Sequence, residues 1–127
     1  PQLHAIEVNF VTNLRKERFD QDIEVILYRV ICELLNNSLK HSGCKRIDLS
    51  LQYNNDRINL EYGDNGCGFN PKAVVDWGMS NITSRINSLG GLVSITSSKG
   101  HGMQASITVS TIGETIANEE ENTDSKH

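Results

Sequence analysis

Between Asp22 and Ser42 the chain reads DIEVILYRVICELLNNSLKHS, a run without glycine or proline that carries two helical patterns at once. Ile23, Ile26, Leu27, Val30, Ile31, Leu34 and Leu35 recur at the i, i+3, i+4, i+7 spacing of a single helix face. A stripe of that kind has to be covered, and a sheet is the layer that can cover it. Along its border Arg29, Glu33, Asn36, Asn37 and Lys40 form a second arc, with Glu33 and Asn37 one turn apart and Lys40 in the next turn. A polar arc alone is an ordinary solvated surface. Two adjacent asparagines, however, are poor helix-interior residues, because their short amides compete for the backbone. A carboxylate, an amide and an ammonium on one helix edge are therefore candidate ligand groups.

The remainder of the chain supplies the sheet. Lys40 and His41 fall in the last helical turn, where the helix dipole favours cations, and Gly43 is placed to stop the helix. Arg46 to Tyr53, with Ile47, Leu49 and Leu51 alternating, and Arg57 to Tyr62, with Ile58 and Leu60, predict a hairpin turned at Asn54-Asn55-Asp56. Residues 3–10, LHAIEVNF, predict an edge strand, and Asp20 or Asp22 is placed to cap the long helix. A short helical turn is expected over Lys72 to Val75, and a second helix over Ser80 to Leu89, ended by Gly90-Gly91. A last hairpin pairs Leu92 to Thr96 with Gln104 to Val109.

The resulting order, β-α-β-β-α-β-β, puts hairpins where a doubly wound fold would need crossover helices. The expected class is α+β: a two-layer α/β sandwich whose mixed, largely antiparallel sheet is covered on one face by helices. With 127 residues, one domain over 1–112 is expected. Residues 113–127 hold Glu114, Glu119, Glu120, Glu121 and Asp124 against Lys126, which equals the whole net charge of −4. That acidic tail is expected to be disordered, and the neutral body offers no basic field for nucleic acid. Cys32, Cys44 and Cys67 form no CxxC pair, so free thiols in a reducing, cytoplasmic setting are expected.

The second hairpin strand runs into Gly63-Asp64-Asn65-Gly66-Cys67-Gly68-Phe69-Asn70-Pro71. Glycines there let a ligand approach the backbone, and Asp64 sets two acceptor oxygens at a strand end. The same residues could form a plain tight turn. Pro71 stands where a dinucleotide-binding loop needs its third glycine, and no GK[ST] exists for a Walker loop.

In this order, the motifs resemble the ATP-binding catalytic domain of sensor histidine kinases, in the GHKL ATPase superfamily with its Bergerat-type fold, and look closest to the nitrate-sensor-type subgroup. The stretch from Glu33 to His41 resembles the N box, and Asp64 to Phe69 the first glycine box. Gly78-Met79-Ser80-Asn81-Ile82, followed by Arg85, resembles the second glycine box, and Gly100-His101-Gly102 a third. The resemblance covers roughly residues 20–110. It implies ATP and magnesium as cofactors: Asn37 coordinates the ion, Glu33 orients a bound water or takes a proton from the nucleophile, and Lys40, with His41 behind it, meets phosphate. Asp64 would accept the adenine amine, Gly66 and Gly68 would close over the nucleotide, and Gly78, Met79, Asn81 and Ile82 would form the opposite wall. Gly100 and Gly102 complete the set. Asp76, where the family often has glycine, and Met103, where it has threonine, depart from the pattern.

The implied function is transfer of the γ-phosphoryl of Mg-ATP to a histidine on a dimerisation domain outside this chain, and onward to a response regulator. None of His4, His41, His101 and His127 occupies an acceptor helix. The parent protein is expected to be a homodimer and the isolated domain a nearly inactive monomer. Two alternatives share the sequence features: a serine kinase acting as an anti-sigma factor, and a degenerate, non-catalytic docking module.

Overall fold

The computed structural model describes residues 5–66, 79–97 and 100–116, apart from the side chains of residues 41, 42, 79 and 80. In chain order the elements are β1 (Glu7–Thr12), α1 (Gln21–Asn37), β2 (Arg46–Asn54), β3 (Arg57–Asp64), α2 (Met79–Ser88), β4 (Leu92–Ser97) and β5 (Met103–Ser110). The five strands form one sheet in the order β1-β2-β3-β5-β4. Only β1 and β2 run parallel, joined by α1 as the crossover; the other three pairings are antiparallel. The α+β sandwich expected from the element order is the architecture observed.

Burial follows the two periodicities. On α1 the centre of the stripe, Ile23, Leu27, Val30 and Leu34, is buried, while Ile26, Ile31 and Leu35 flank it half-buried. They meet Ile47 and Leu49 of β2, Ile58, Leu60 and Tyr62 of β3, and Ala105, Ile107 and Val109 of β5; α2 adds Ile82 and Ile86. Truncating one of these fully buried aliphatics to alanine costs roughly 2–5 kcal/mol. The other sheet face is polar. In register across β3 and β5, Thr108 Oγ1 donates to Asn59 Oδ1 at 2.9 Å and Ser106 Oγ donates to Glu61 at 2.5 Å. Asn55 and Asp56 turn the β2–β3 hairpin with φ of 54° and 62°, a conformation their short polar side chains tolerate.

The end of α1 departs from a plain helix. From Ser38 to Ser42 it widens into a π turn and stops at Gly43, whose φ of 62° is left-handed. Strand β1 begins later than expected and extends further. Its pairing is prolonged by side chains: Thr12 Oγ1 donates to the Leu51 carbonyl at 2.6 Å, and the Asn13 amide exchanges bonds of 2.9 and 2.8 Å with the Tyr53 backbone. Asp20 occupies the cap position of α1 but makes no side-chain cap. Glu24 instead turns back, accepting from the Phe19 N–H at 3.0 Å and from the Arg18 guanidinium at 2.8 and 2.9 Å.

Residues 113–116, assigned above to the acidic tail, stay with the body. Ile116 is buried and its N–H donates to the Gly90 carbonyl at 2.7 Å, an apolar anchor in a polar stretch. Residues 117–127, His4 and the helical turn expected over 72–75 lie outside the described residues. Cys32 and Cys44 are not in disulfides, Cys44 Sγ facing the Ser38 carbonyl, and Cys67 is outside the described set. Among the described residues no helix is long and apolar enough to cross a membrane.

The Arg18 hydrogen bonds, and after them that of the Phe19 N–H, hold the Glu24 carboxyl down at about 2, against an ordinary 4.5. A carboxyl lowered on folding stabilises the fold above its unfolded value and loses that contribution as pH falls through its folded value. Glu24→Gln is therefore expected to unfold at a lower temperature than the parent chain at pH 7, with the gap narrowing from about pH 4.5 and closing near pH 2. Thermal unfolding at a series of pH values measures it.

Candidate functional site

The end of α1, the end of β3 and the start of β5 converge on Asp64. Strand alternation puts Ile58, Leu60, Tyr62 and Asp64 on one face, the covered one, so a carboxylate sits where the pattern calls for an apolar residue. Asp64 is only 6% exposed. A buried carboxylate has to be hydrogen-bonded, and both oxygens are. Oδ2 accepts from the Ser38 hydroxyl at 2.5 Å, and Oδ1 accepts from the Gly66 N–H at 3.0 Å.

Ser38 is the first residue of the π turn, buried and also in hydrogen-bond contact with the Tyr62 hydroxyl, which reaches the Leu34 carbonyl at 3.1 Å. Burial above all pushes the Tyr62 phenol up to about 12, so it remains a donor at neutral pH. Asn65 fixes the loop from the other side. Its Oδ1 accepts from the Lys45 and Arg46 N–H groups, both at 2.9 Å, and its own N–H donates to the Arg46 carbonyl at 3.2 Å.

Beside this cluster runs the polar edge of α1. Asn37 is buried, Glu33 half-buried one turn earlier, and Lys40 exposed in the π turn with His41, whose side chain is not described. Gly66 borders Asp64, and Gly102 lies behind it: a Cβ there would stand 2.2 Å from the Asp64 carbonyl oxygen. The last glycine motif thus lets two backbones meet under the carboxylate. Met103 pairs with Asp64 in register and is buried, an apolar neighbour on the covered face.

Other expected site residues fall elsewhere. Ile82 is fully buried in the core beside Ile86, where it seats α2 on the sheet. Asn81 is exposed in the first turn of α2, and Met79 begins that helix. Gly100 is an exposed turn residue with open space around it. Gly68, Asp76 and Gly78 lie outside the described residues.

The motif reading missed Ser38, Tyr62 and Asn65 as parts of the site. Two of the three left a signal. Ser38 continues the line of Leu27 and Leu34 on the apolar face of the helix, and Tyr62 precedes Asp64 by two in a buried strand; a polar group in either place must have a partner.

Comparison with known proteins agrees with this fold. Residues 22–123 match HATPase_c, the family of histidine kinase-, DNA gyrase B- and HSP90-like ATPases. The chain belongs to this family. Among curated relatives of the ATPase domain, it is 36% identical over 103 residues to the oxygen sensor histidine kinase NreB of Staphylococcus carnosus, covering 78% of this chain and 29% of that protein. It is 34% identical over 110 residues to the sensor histidine kinase ComP of Bacillus subtilis, covering 80% and 14%. The chain therefore spans less than a third of either relative's length. Its fold superimposes with a TM-score of 0.67 on the histidine kinase domain of the blue-light activated histidine kinase of Erythrobacter litoralis, at 18% identity over 85% of this chain and 52% of that one.

Gly102→Ala combines a φ of 77° with the backbone clash against Asp64, whereas Gly100→Ala meets only a φ of 85° in open space. The first is expected to cost about 2–5 kcal/mol of unfolding free energy and the second about 1–2 kcal/mol, as read by urea denaturation.

Proposed function

We propose that this chain is the catalytic, ATP-binding domain of a two-component sensor histidine kinase. It binds Mg-ATP and transfers the γ-phosphoryl to a histidine on the dimerisation domain of the parent protein. The observation that carries this reading is the buried Asp64 carboxylate, pinned at both oxygens beside the helix edge that bears Glu33, Asn37 and Lys40, in a chain of the HATPase_c family. An acceptor-only carboxylate suits the exocyclic amine of adenine. Guanine presents a carbonyl in that place, and an unmet hydrogen bond to a charged group costs about 1.5–3 kcal/mol, on the order of tenfold to a hundredfold in affinity.

The donor set on α1 fits magnesium. Asn37 and Glu33 offer oxygen atoms one turn apart, as a hard cation requires. Among the described residues no cluster of three acids, histidines or cysteines could cage an ion without help. Phosphate oxygens and water would complete the shell, as is usual for this metal. When bound, it would neutralise charge on the phosphates. Asn37 would hold the ion, Lys40 would meet phosphate as a compact cation, and Glu33 would accept the proton from the acceptor imidazole. A bond to the imidazole nitrogen forms as the bond to the departing ADP oxygen breaks. Gly66 lets the loop approach the base, and the exposed Asn81 places a polar group at the N-terminal end of α2, where helix amides favour phosphate.

The parent protein would be a homodimer handing its phosphoryl group to a response regulator, with this domain on the cytoplasmic side, where ATP is found. The two named sensor histidine kinases among its relatives support the kinase reading.

Calorimetric titration of the chain with a non-hydrolysable ATP analogue and magnesium tests the site. Asp64→Asn should weaken adenine nucleotide binding at least tenfold and ease the penalty on GTP, since the amide can donate to the guanine carbonyl; equal binding of both nucleotides by the unaltered chain would refute the assignment. In the parent kinase, Glu33→Gln should slow phosphotransfer about 10²–10⁴-fold while ATP affinity stays close to its original value. Asn37→Ala should lose the magnesium dependence of binding, and retained dependence would remove Asn37 from the metal.

A further inference from the structure

Asp64 can read a base only if its carboxylate is held at one rotation, and the structure contains a device that holds it. We infer that Ser38 and Tyr62 are positioning residues for nucleotide selection, acting through Asp64 as a hydrogen-bonded chain anchored on the backbone of α1. This rests on the proposed assignment of Asp64 to the adenine amine.

The direction of the chain follows from counting hydrogens. A carboxylate has only lone pairs, so the single hydroxyl hydrogen of Ser38 is committed to Asp64 Oδ2 at 2.5 Å. Toward Tyr62, Ser38 can then only accept. The phenol supplies its one hydrogen, shared between Ser38 Oγ and the Leu34 carbonyl at 3.1 Å. Leu34 lies one turn before Ser38 on the same helix, so the chain starts and passes through α1 before it reaches β3. Tyr62 and Ser38 are each 1% exposed, which keeps water from substituting for either hydroxyl. With Oδ2 held by Ser38 and Oδ1 by the Gly66 N–H at 3.0 Å, the plane of the carboxylate is fixed from two sides. Each oxygen retains a further lone pair for a ligand.

Alanine at 38 would leave Oδ2 without its donor and free the carboxylate to rotate. A residue that merely filled space would, on replacement, weaken all nucleotides alike. One that aims Asp64 must weaken the nucleotide carrying the amine more than its counterpart without it. The experiment is calorimetric titration of the 127-residue chain with ATP and with purine riboside triphosphate, which lacks the amine, for the parent sequence, Ser38→Ala, Tyr62→Phe, Asp64→Asn and Ser38→Ala/Asp64→Asn.

Ser38→Ala is expected to reduce the preference for ATP over the amine-free analogue about tenfold, and Tyr62→Phe about threefold, each largely through weaker ATP binding. The double variant should lose no more of that preference than Asp64→Asn alone, since Ser38 acts through the carboxylate. An unchanged preference in Ser38→Ala, or an equal loss for both ligands, overturns the inference while leaving Asp64 as the adenine reader. If Ser38→Ala does not fold, Tyr62→Phe decides in the same way, an unchanged preference again overturning it. Absence of any preference in the parent sequence would instead overturn the adenine assignment, and the inference with it.

Discussion

A carboxylate on the covered face of a sheet is the constraint around which this fold is arranged. Asp64 closes a line of apolar residues, Ile58, Leu60 and Tyr62, and its charge would be intolerable there without fixed donors. Ser38 supplies one from the helix layer and the Gly66 N–H another from the loop. The bond from Ser38 does more than satisfy an acceptor, because it ties the end of α1 to the end of β3 across the two layers. Asn65 adds a second tie, from β3 to the backbone that enters β2. Gly102 lets β5 come close enough to complete the corner.

The two faces of the sheet divide the work. Helices cover the first, and the site opens at its edge, where apolar packing gives way to Asn37, Ser38 and Asp64. The second is a ladder of hydroxyls, amides and acids that satisfy one another, as Ser106 does with Glu61 and Thr108 with Asn59. Placing polar groups of α1 beside the carboxylate is therefore a result of burying its stripe: once Leu27, Val30 and Leu34 face the sheet, Asn37 continues their buried line and Glu33 falls on its border.

Much of this was legible from the chain. The stripe on α1, the alternation in β2, β3 and β5, the turn at Asn55-Asp56 and the stop at Gly43 are local patterns, and each appears where its spacing placed it. The parallel partnership of β1 with β2 was not legible, because strand pairing is a tertiary property that exposed residues such as Val8, Phe10 and Val11 do not encode. Ile82 belongs to two patterns at once. Its place in a glycine-rich box suggested ligand contact, while its spacing with Ile86 already marked it as core. The same spacing test would have found Ser38, a serine on the wrong face of a helix for any purpose but a buried hydrogen bond.

The π turn at the end of α1 bears on how this sequence can vary. An α turn closes its hydrogen bond over four residues and a π turn over five, so the widening from Ser38 to Ser42 accommodates one extra residue. Its residue count matters as much as its composition. Apart from Ser38 and Lys40, whose side chains have their own tasks, the turn depends on its length: deleting any single residue between Asn37 and Gly43 would draw it tight and rotate the downstream chain by about 100°. Lineages descending from this chain should therefore show point changes in that interval, away from Ser38 and Lys40, more often than gaps.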